Sequence, residues 1–385
     1  MSSPRIINAS GPVTRLGGAL MPESVLVAHG EAAGISVSMD ALHAAASARV
    51  AEVCGTESGL VTAGAAAGLT LGAAAILCGY DLRRMEMLPH VDYEFPNEFV
   101  IAREQRNGYD HAVRAAGVRL VEVGMNETVA GSGVRRTEAW EYEAAFCERT
   151  AGVLYVYGHN SSPPLAEVVA VAHRHQLPVL VDAAGELPPR ENLHAIPDTG
   201  ADLVSFSGGK AIRGPQATGI LCGKHDLIAS AALQMLDMDD HFDLWNPPKE
   251  FIDKSKLAGM PRHGVGRALK VSKEDIAALL TALGLFNSGA YEDEQSVARE
   301  RLRTIADALI DTPATCTLSE TPTPRLEIAL GGAGEAFEIC RALRDGEPPV
   351  YVGHGKLAEG KLVIDPLCLD DERSGIVAER LKELV

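Results

Sequence analysis

Between about residues 50 and 225 the chain alternates short apolar β-rich runs with helical segments. A mostly parallel sheet covered on both faces satisfies that pattern, because parallel strands need crossover helices and bury both of their faces. The runs lie at 98–101 (EFVI), 118–123 (VRLVEV), 152–157 (GVLYVY), 178–182 (PVLVD) and 202–206 (DLVSF). Between two of them, residues 164–176 (PLAEVVAVAHRHQ) predict a helix. Pro163 and Pro164 stand at its start, and Leu165, Val168, Val169 and Ala172 fall on one face. From about Pro261 the texture changes to a helix-like run (273–285) and a charged segment to about Leu309, leading into Arg325–Leu330, a helix near 335–344, two short strands (349–352 and 361–364) and a terminal helix. The expected organisation is an N-terminal arm (residues 1–25) outside any core, a large α/β domain (residues 26–260) and a smaller α+β C-terminal domain (residues 261–385).

Residues 59–79 (GLVTAGAAAGLTLGAAAILCG) carry no charge and are about long enough to cross a bilayer. Ala and Gly dominate them, however, and no second apolar span accompanies them. Gly64, Gly68 and Gly72, spaced by four, give a helix a smooth face for close packing, so a buried soluble helix is expected and no membrane contact. The formal net charge of −17 is spread along the chain and repels polyanions, which argues against a nucleic-acid partner. Seven cysteines at 54, 78, 147, 222, 316, 340 and 368 show no CxxC pair. Such scattered thiols fit reduced core residues, and the first residues lack the apolar stretch of a signal peptide, so a cytoplasmic location is expected.

Two residues with chemical potential close predicted strands, where ligands of parallel sheets bind. Asp182 ends Val179-Leu-Val-Asp182, and Lys210 follows the run ending at Phe206 through Ser207-Gly-Gly. An amine can form an imine with an aldehyde, and a carboxylate can keep a pyridine nitrogen protonated; together they suit pyridoxal 5'-phosphate (PLP). A third element is a phosphate cradle. Thr62, Ala63, Gly64 and Ala65 open the apolar helix, whose free N–H groups and dipole favour a dianion, with hydroxyls from Thr62 and Ser207. Other motifs fail. Gly208-Gly-Lys210 lacks the hydroxyl residue and spacing of a P-loop, and no GxGxxG opens a helix. His173 and His175 point to different helix faces, and Asp237, Asp239, Asp240 and Asp243 read as a solvated face, so no metal site is expected.

The stretch Val179-LVDAAGELPP-Arg190, continuing through Gly200-ADLVSFSGGKAIRGPQATGILCGKHDL-Ile228, resembles the selenocysteine synthase-like branch of fold-type I PLP-dependent enzymes. Further matches are Ile7-Asn-Ala-Ser-Gly11 with Thr14, Leu16 and Gly17, Arg106-Asn-Gly-Tyr-Asp-His-Ala112, and His263-Gly-Val-Gly-Arg267. The likeness is nearest to the ammonia-lyases of that branch that act on amino-sugar acids. It implies an aspartate aminotransferase-like fold, with Lys210 as the lysine that holds the cofactor covalently and Asp182 as the partner of its ring nitrogen. By the same likeness Thr62, Ala63, Gly64, Ala65 and Ser207 form the phosphate site. It also implies a homodimer or higher homo-oligomer with sites completed across subunits. Two departures stand out. Gln105 replaces a histidine expected over the cofactor ring, and Gly353-His354 replaces an arginine expected to grip a substrate carboxylate.

Candidate substrate residues are Arg15 on the arm, His159 and Asn160 after a strand end, and His263 and Arg267, for which a structural ion pair is an equal alternative. The expected activity is α,β-elimination with ammonia release from a hydroxylated 2-amino acid, Lys210 removing the α-proton. Aminotransfer, racemisation and aldol cleavage on a small amino acid remain open from the residues alone. So do selenium transfer, against which the negative charge argues, and a non-catalytic PLP-binding role.

Overall fold

The computed structural model describes residues 5–91, 94–125, 135–292, 294–319 and 323–385. They divide into two compact units, Glu23–Leu283 and a second made of Met1–Pro22 with Gly284–Val385. The first strand, β1 (Ile7–Ala9), belongs to the second unit.

The larger unit is built on seven strands: β2 (Ser58–Thr62), β3 (Glu98–Ala102), β4 (Arg119–Val123), β5 (Thr150–Val156), β6 (Val179–Asp182), β7 (Leu203–Ser207) and β8 (Gly219–Gly223). Their order across the sheet is β2-β8-β7-β6-β5-β3-β4. Strands β3 to β7 pair in parallel, whereas β8 runs antiparallel to both of its neighbours. Strand β2, antiparallel to β8, therefore points the same way as the parallel set. All five expected runs are strands, and the helix Leu165–Arg174 buries Leu165, Val168, Val169 and Ala172 as its spacing predicts.

Ser58–Thr62 corrects the reading of 59–79 as one helix: its first part is β2, and the helix spans Ala65–Cys78. The segment hid the break because Gly, Ala, Leu and Val run through strand and helix alike, leaving no period to read. No helix of the described residues is long and apolar enough to cross a membrane. Buried almost all round, the helix Ala65–Cys78 lies tightly on the sheet. A Cβ on Gly72 would stand 2.9 Å from a Leu180 methyl and 3.2 Å from a Leu203 methyl, on β6 and β7.

The smaller unit holds an antiparallel sheet of β12 (Lys361–Ile364), β10 (Arg325–Ala329) and β9 (Thr315–Ser319), in that order. It also holds a parallel pair of β1 with β11 (Val350–Val352), registering Ile7 with Val350 and Ala9 with Val352. Ile7 and Ala9 are buried in a core with Leu326, Ile328, Val352, Leu362 and Ile364. The N-terminal arm is therefore part of a core, contrary to its sequence reading. A three-residue strand between prolines is too short to show a period, and its partner lies far along the chain. Residues 261–283 group with the larger unit, where Ile276, Leu279 and Leu283 of the helix Lys273–Asn287 are fully buried.

Gly72→Val is expected to destabilise the protein by about 1–3 kcal/mol through overpacking against the sheet. Gly334→Ala, in a helix where an added Cβ meets nothing, should leave the melting temperature unchanged or slightly raised. Thermal unfolding of the two variants beside the wild type checks the contrast.

Candidate active site

Because β2 and the parallel strands share a direction, their carboxyl ends lie along one edge of the sheet, where loops are free to hold ligands. Register fixes which side chains meet there. Gly219 pairs with Thr62 on one side and with Ser207 on the other, while Asp182 pairs with Ser205. Paired residues share a face, and so do residues two apart on one strand. Thr62, Asp182, Ser205 and Ser207 therefore project from the same face.

That face is the one covered by the helix Ala65–Cys78. A Cβ on Gly219 would stand 2.5 Å from the carbonyl carbon of Gly64 and 2.6 Å from the nitrogen of Ala65, so the helix start rests on bare backbone. The Ser205 hydroxyl donates to the Ala65 carbonyl at 2.9 Å, and the Thr62 hydroxyl donates to the Gly64 carbonyl at 2.9 Å. Thr62 is fully buried and its proton is spent on the loop, so its side chain shapes the turn. Ser207 is half-buried at the edge. A helix N-terminus with its unsatisfied N–H groups thus opens next to the tip of β7.

Asp182 is 8% exposed and takes one hydrogen bond, from the Ala184 N–H to Oδ1 at 3.0 Å. Its Oδ2 has no hydrogen-bond partner among the described residues. Burial pushes its carboxyl above the usual range, while the Ala184 N–H and the charge of Lys210 pull it back. Lys210 stands two residues beyond Gly208, in a loop that doubles back on itself. Gly208 and Thr218 are joined by a backbone hydrogen bond of 2.9 Å, and a Cβ on Gly209 would strike the Gln216 backbone. The Lys210 side chain is half-buried, with no hydrogen-bond or ion-pair partner among the described residues. A largely buried carboxyl group with one oxygen uncommitted, an uncommitted amine within its field and a helix start beside a serine fit the pyridine nitrogen, aldehyde and phosphate of PLP in turn.

Glu186 was missed by sequence reasoning. Half-buried four residues after Asp182, it is pushed up by burial and by Asp182, and pulled back by Lys210 and His159. The four groups thus share one electrostatic neighbourhood. The signal was its position in the Asp182-Ala-Ala-Gly-Glu186 stretch, where an acid so near a strand tip reads as an ordinary loop residue.

The other expected residues fall in three places. Gln105, 6% exposed, accepts from the Val156 N–H at 3.0 Å and donates to the Ser162 carbonyl at 3.3 Å, so its amide braces the end of β5 beside Asp182. His159 and Asn160 are exposed on the turn that follows β5, where the Asn160 carbonyl accepts from Arg136. His263 and Arg267 turn to Asp237 instead, at 3.5 Å and 2.6 Å, which is the structural ion pair. Asp237, Asp239 and His263 are all exposed, with ligand atoms within 4.8 Å of one another. Arg15 belongs to the smaller unit, donating to the Ser10 hydroxyl at 3.1 Å.

Comparison with known proteins places the chain among relatives of similar length. Residues 110–238 match the profile of the L-seryl-tRNA selenium transferase family. A 5'-C-glycyluridine monooxygenase-decarboxylase from a Streptomyces species is 31% identical across 99% of this chain and 90% of its own length. The D-glucosaminate-6-phosphate ammonia lyase of Salmonella typhimurium is 27% identical across 99% of this chain and 95% of its own. A solved structure of D-glucosaminate-6-phosphate ammonia-lyase superposes with a TM-score of 0.80 at 27% identity, covering 99% of this chain and 96% of the other. With its seven-stranded sheet, its strand-tip acid and amine, and relatives matched end to end, the chain belongs to the selenocysteine synthase-like branch of fold-type I PLP-dependent enzymes.

Proposed function

We propose that the protein is a PLP-dependent lyase that removes the 3-substituent of a hydroxylated 2-amino acid, with an amino-sugar acid as the substrate class, and releases ammonia and a 2-oxo acid. The observation that carries this reading is the full-length likeness to D-glucosaminate-6-phosphate ammonia-lyase, at a TM-score of 0.80. In it Lys210 holds the cofactor covalently, Asp182 faces the ring nitrogen, and Ala63 to Ala65 with Ser207 receive the phosphate, Thr62 shaping that turn. Bound there, the cofactor supplies a covalent hold on the substrate amine and a sink for electrons leaving the α-carbon. The chain's own groups do the rest. With the cofactor bound, Lys210 would take the α-proton on Nζ and could return a proton to the departing hydroxyl. Asp182, desolvated and short of a donor at Oδ2, holds the proton of the ring nitrogen in place. Water lost in elimination is regained when the released enamine tautomerises and hydrolyses, so amino acid goes to oxo acid plus ammonia.

Gln105 serves as a fixed wall beside this site, since both ends of its amide are bonded to backbone. His159 and Asn160, on the exposed turn after β5, are offered as substrate contacts. A homo-oligomer acting in a reducing cytoplasm is part of the same reading. Its support is the set of seven cysteines, none of them in a disulfide and five of them buried, which an oxidising compartment would not favour. A second reading, oxidative decarboxylation of an amino acid, has the 31% identity to the Streptomyces enzyme in its favour. Incubation with a panel of amino-sugar acids and 3-hydroxy amino acids separates the two: ammonia and oxo acid without oxygen uptake support elimination. Oxygen uptake with carbon dioxide release supports the second reading and sinks the first.

Lys210→Ala should lower turnover by at least about 10³-fold and abolish borohydride fixation of the cofactor, read by mass spectrometry of the treated protein. Asp182→Asn has two opposite effects. The folded-state pKa of Asp182 lies above its unfolded value, so its contribution to stability falls as pH rises through that window and is least favourable at neutral pH. Removing the charge should therefore raise the melting temperature of cofactor-free protein at pH 7, while activity falls by about 10²-fold or more. An apo variant less stable than wild type at pH 7 contradicts the buried-charge reading.

A further inference from the structure

The smaller unit contains a pocket of about 640 Å³ lined by Arg15, Arg341, Arg344, His354, Asp345 and three apolar side chains. Three guanidiniums face one carboxylate there, a local surplus of positive charge in a chain whose net charge is −17. Arg15 Nη2 lies 3.1 Å from His354 Nδ1 and Arg344 Nη2 lies 3.4 Å from the same atom. The two guanidinium nitrogens are thus no farther apart than the sum of those distances, about 6.5 Å, and share one neutral acceptor between them. The His354 Nδ1 is the acceptor because a guanidinium can only donate, and burial, together with Arg15 and Arg344, pushes the imidazole below its usual range.

None of the three arginines has a carboxylate partner among the described residues, although arginines of this unit such as Arg301 and Arg380 do. Arg341 has no hydrogen-bond or ion-pair partner at all among them. Arg344 packs its guanidinium over the Tyr351 ring at 5.4 Å, and its Nε is buried without a hydrogen-bond partner. Holding like charges this close is unfavourable unless an anion joins them. Two nitrogens so spaced, each wanting an oxygen at about 2.8 Å, match two oxygens of one tetrahedral anion. Three positive charges against Asp345 leave a balance that a dianion neutralises.

We propose that this pocket binds a phosphate group, carried by a small molecule whose body rests on Cys340, Leu357 and Phe337. Cys340 and Leu357 form a buried apolar floor, and Phe337 is 49% exposed as a wall. The volume falls in the range of small-ligand sites, far more than a bare phosphate fills. This goes beyond the proposed lyase activity and does not depend on it.

Inorganic phosphate is the probe, added to the holoenzyme so that the cofactor's own phosphate site is filled. Equilibrium dialysis should give saturable binding of one phosphate per chain in the millimolar range or tighter. Arg341→Gln and Arg344→Gln should each weaken it roughly tenfold or more. Arg341→Gln breaks no hydrogen bond or ion pair among the described residues, so its fold is expected to stay intact, which an unchanged melting temperature checks. No saturable binding up to about 10 mM, or variants that bind as wild type does, overturns the proposal. Kinetics identify the source of the group. If it belongs to the substrate, Arg341→Gln raises KM for a phosphorylated amino-sugar acid but not for its unphosphorylated form, and phosphate competes with the former. If it belongs to a separate effector, both forms respond alike and phosphate acts without competing. Dialysis needs no turnover, so a failed ammonia assay and a failed phosphate titration are told apart.

Discussion

The contact between a glycine-faced helix and the middle of the sheet sets everything else in the larger unit. At Gly72 the helix Ala65–Cys78 meets leucine methyls of β6 and β7, and at Gly219 the sheet offers bare backbone to the helix start. Side chains at either place would lift the helix by an ångström or more. Its first turn would then leave the row formed by Thr62, Gly219 and Ser207. Close-packed interiors transmit such displacements instead of absorbing them. The apolar, nearly featureless composition of residues 59–79 is therefore what lets an anion-attracting helix end sit where the strand tips converge.

Much of this was legible in the sequence, and the reasons differ from element to element. The parallel strands were readable because they are buried on both faces and so appear as continuous apolar runs; Val179–Asp182 and Leu203–Ser207 mark their own carboxyl ends. Asp182 and Lys210 followed from those ends. Strand β2 was not readable, because glycine and alanine on both sides erase any contrast of period. Strand β8 (Gly219–Gly223) starts and finishes on glycine, which reads as loop until a helix is seen packed against it. Strand β1 was lost for a different cause, since its only strand partner is β11, near the other end of the chain.

The site shows the same division. Residues singled out for their position along a strand could be placed from the sequence, whereas the surroundings that face a side chain across space could not. For His263 and Arg267 the sequence left anion binding and a structural ion pair equally open, and only the fold shows Asp237 at 3.5 and 2.6 Å from them. Glu186 looked like a loop acid, and only its shared field with Asp182, Lys210 and His159 makes it part of the centre. Gln105 stands where a histidine was expected, and its hydrogen bonds to the backbone of β5 and the following turn could not be read from the sequence. No spacing rule encodes such facts, because each belongs to a loop placed by the sheet.

The pairing of β1 with β11 has a consequence for how the polypeptide matures on the ribosome. Residues 23–283 are contiguous and hold every strand of the seven-stranded sheet, so that body can condense while synthesis continues. Strand β1 cannot join in. Its partner, Val350–Val352, is translated long after it, and until then Ile7 and Ala9 have no core to enter. Strand β1 is thus among the last elements to find its place, because the partner that gives it a core is made long after it.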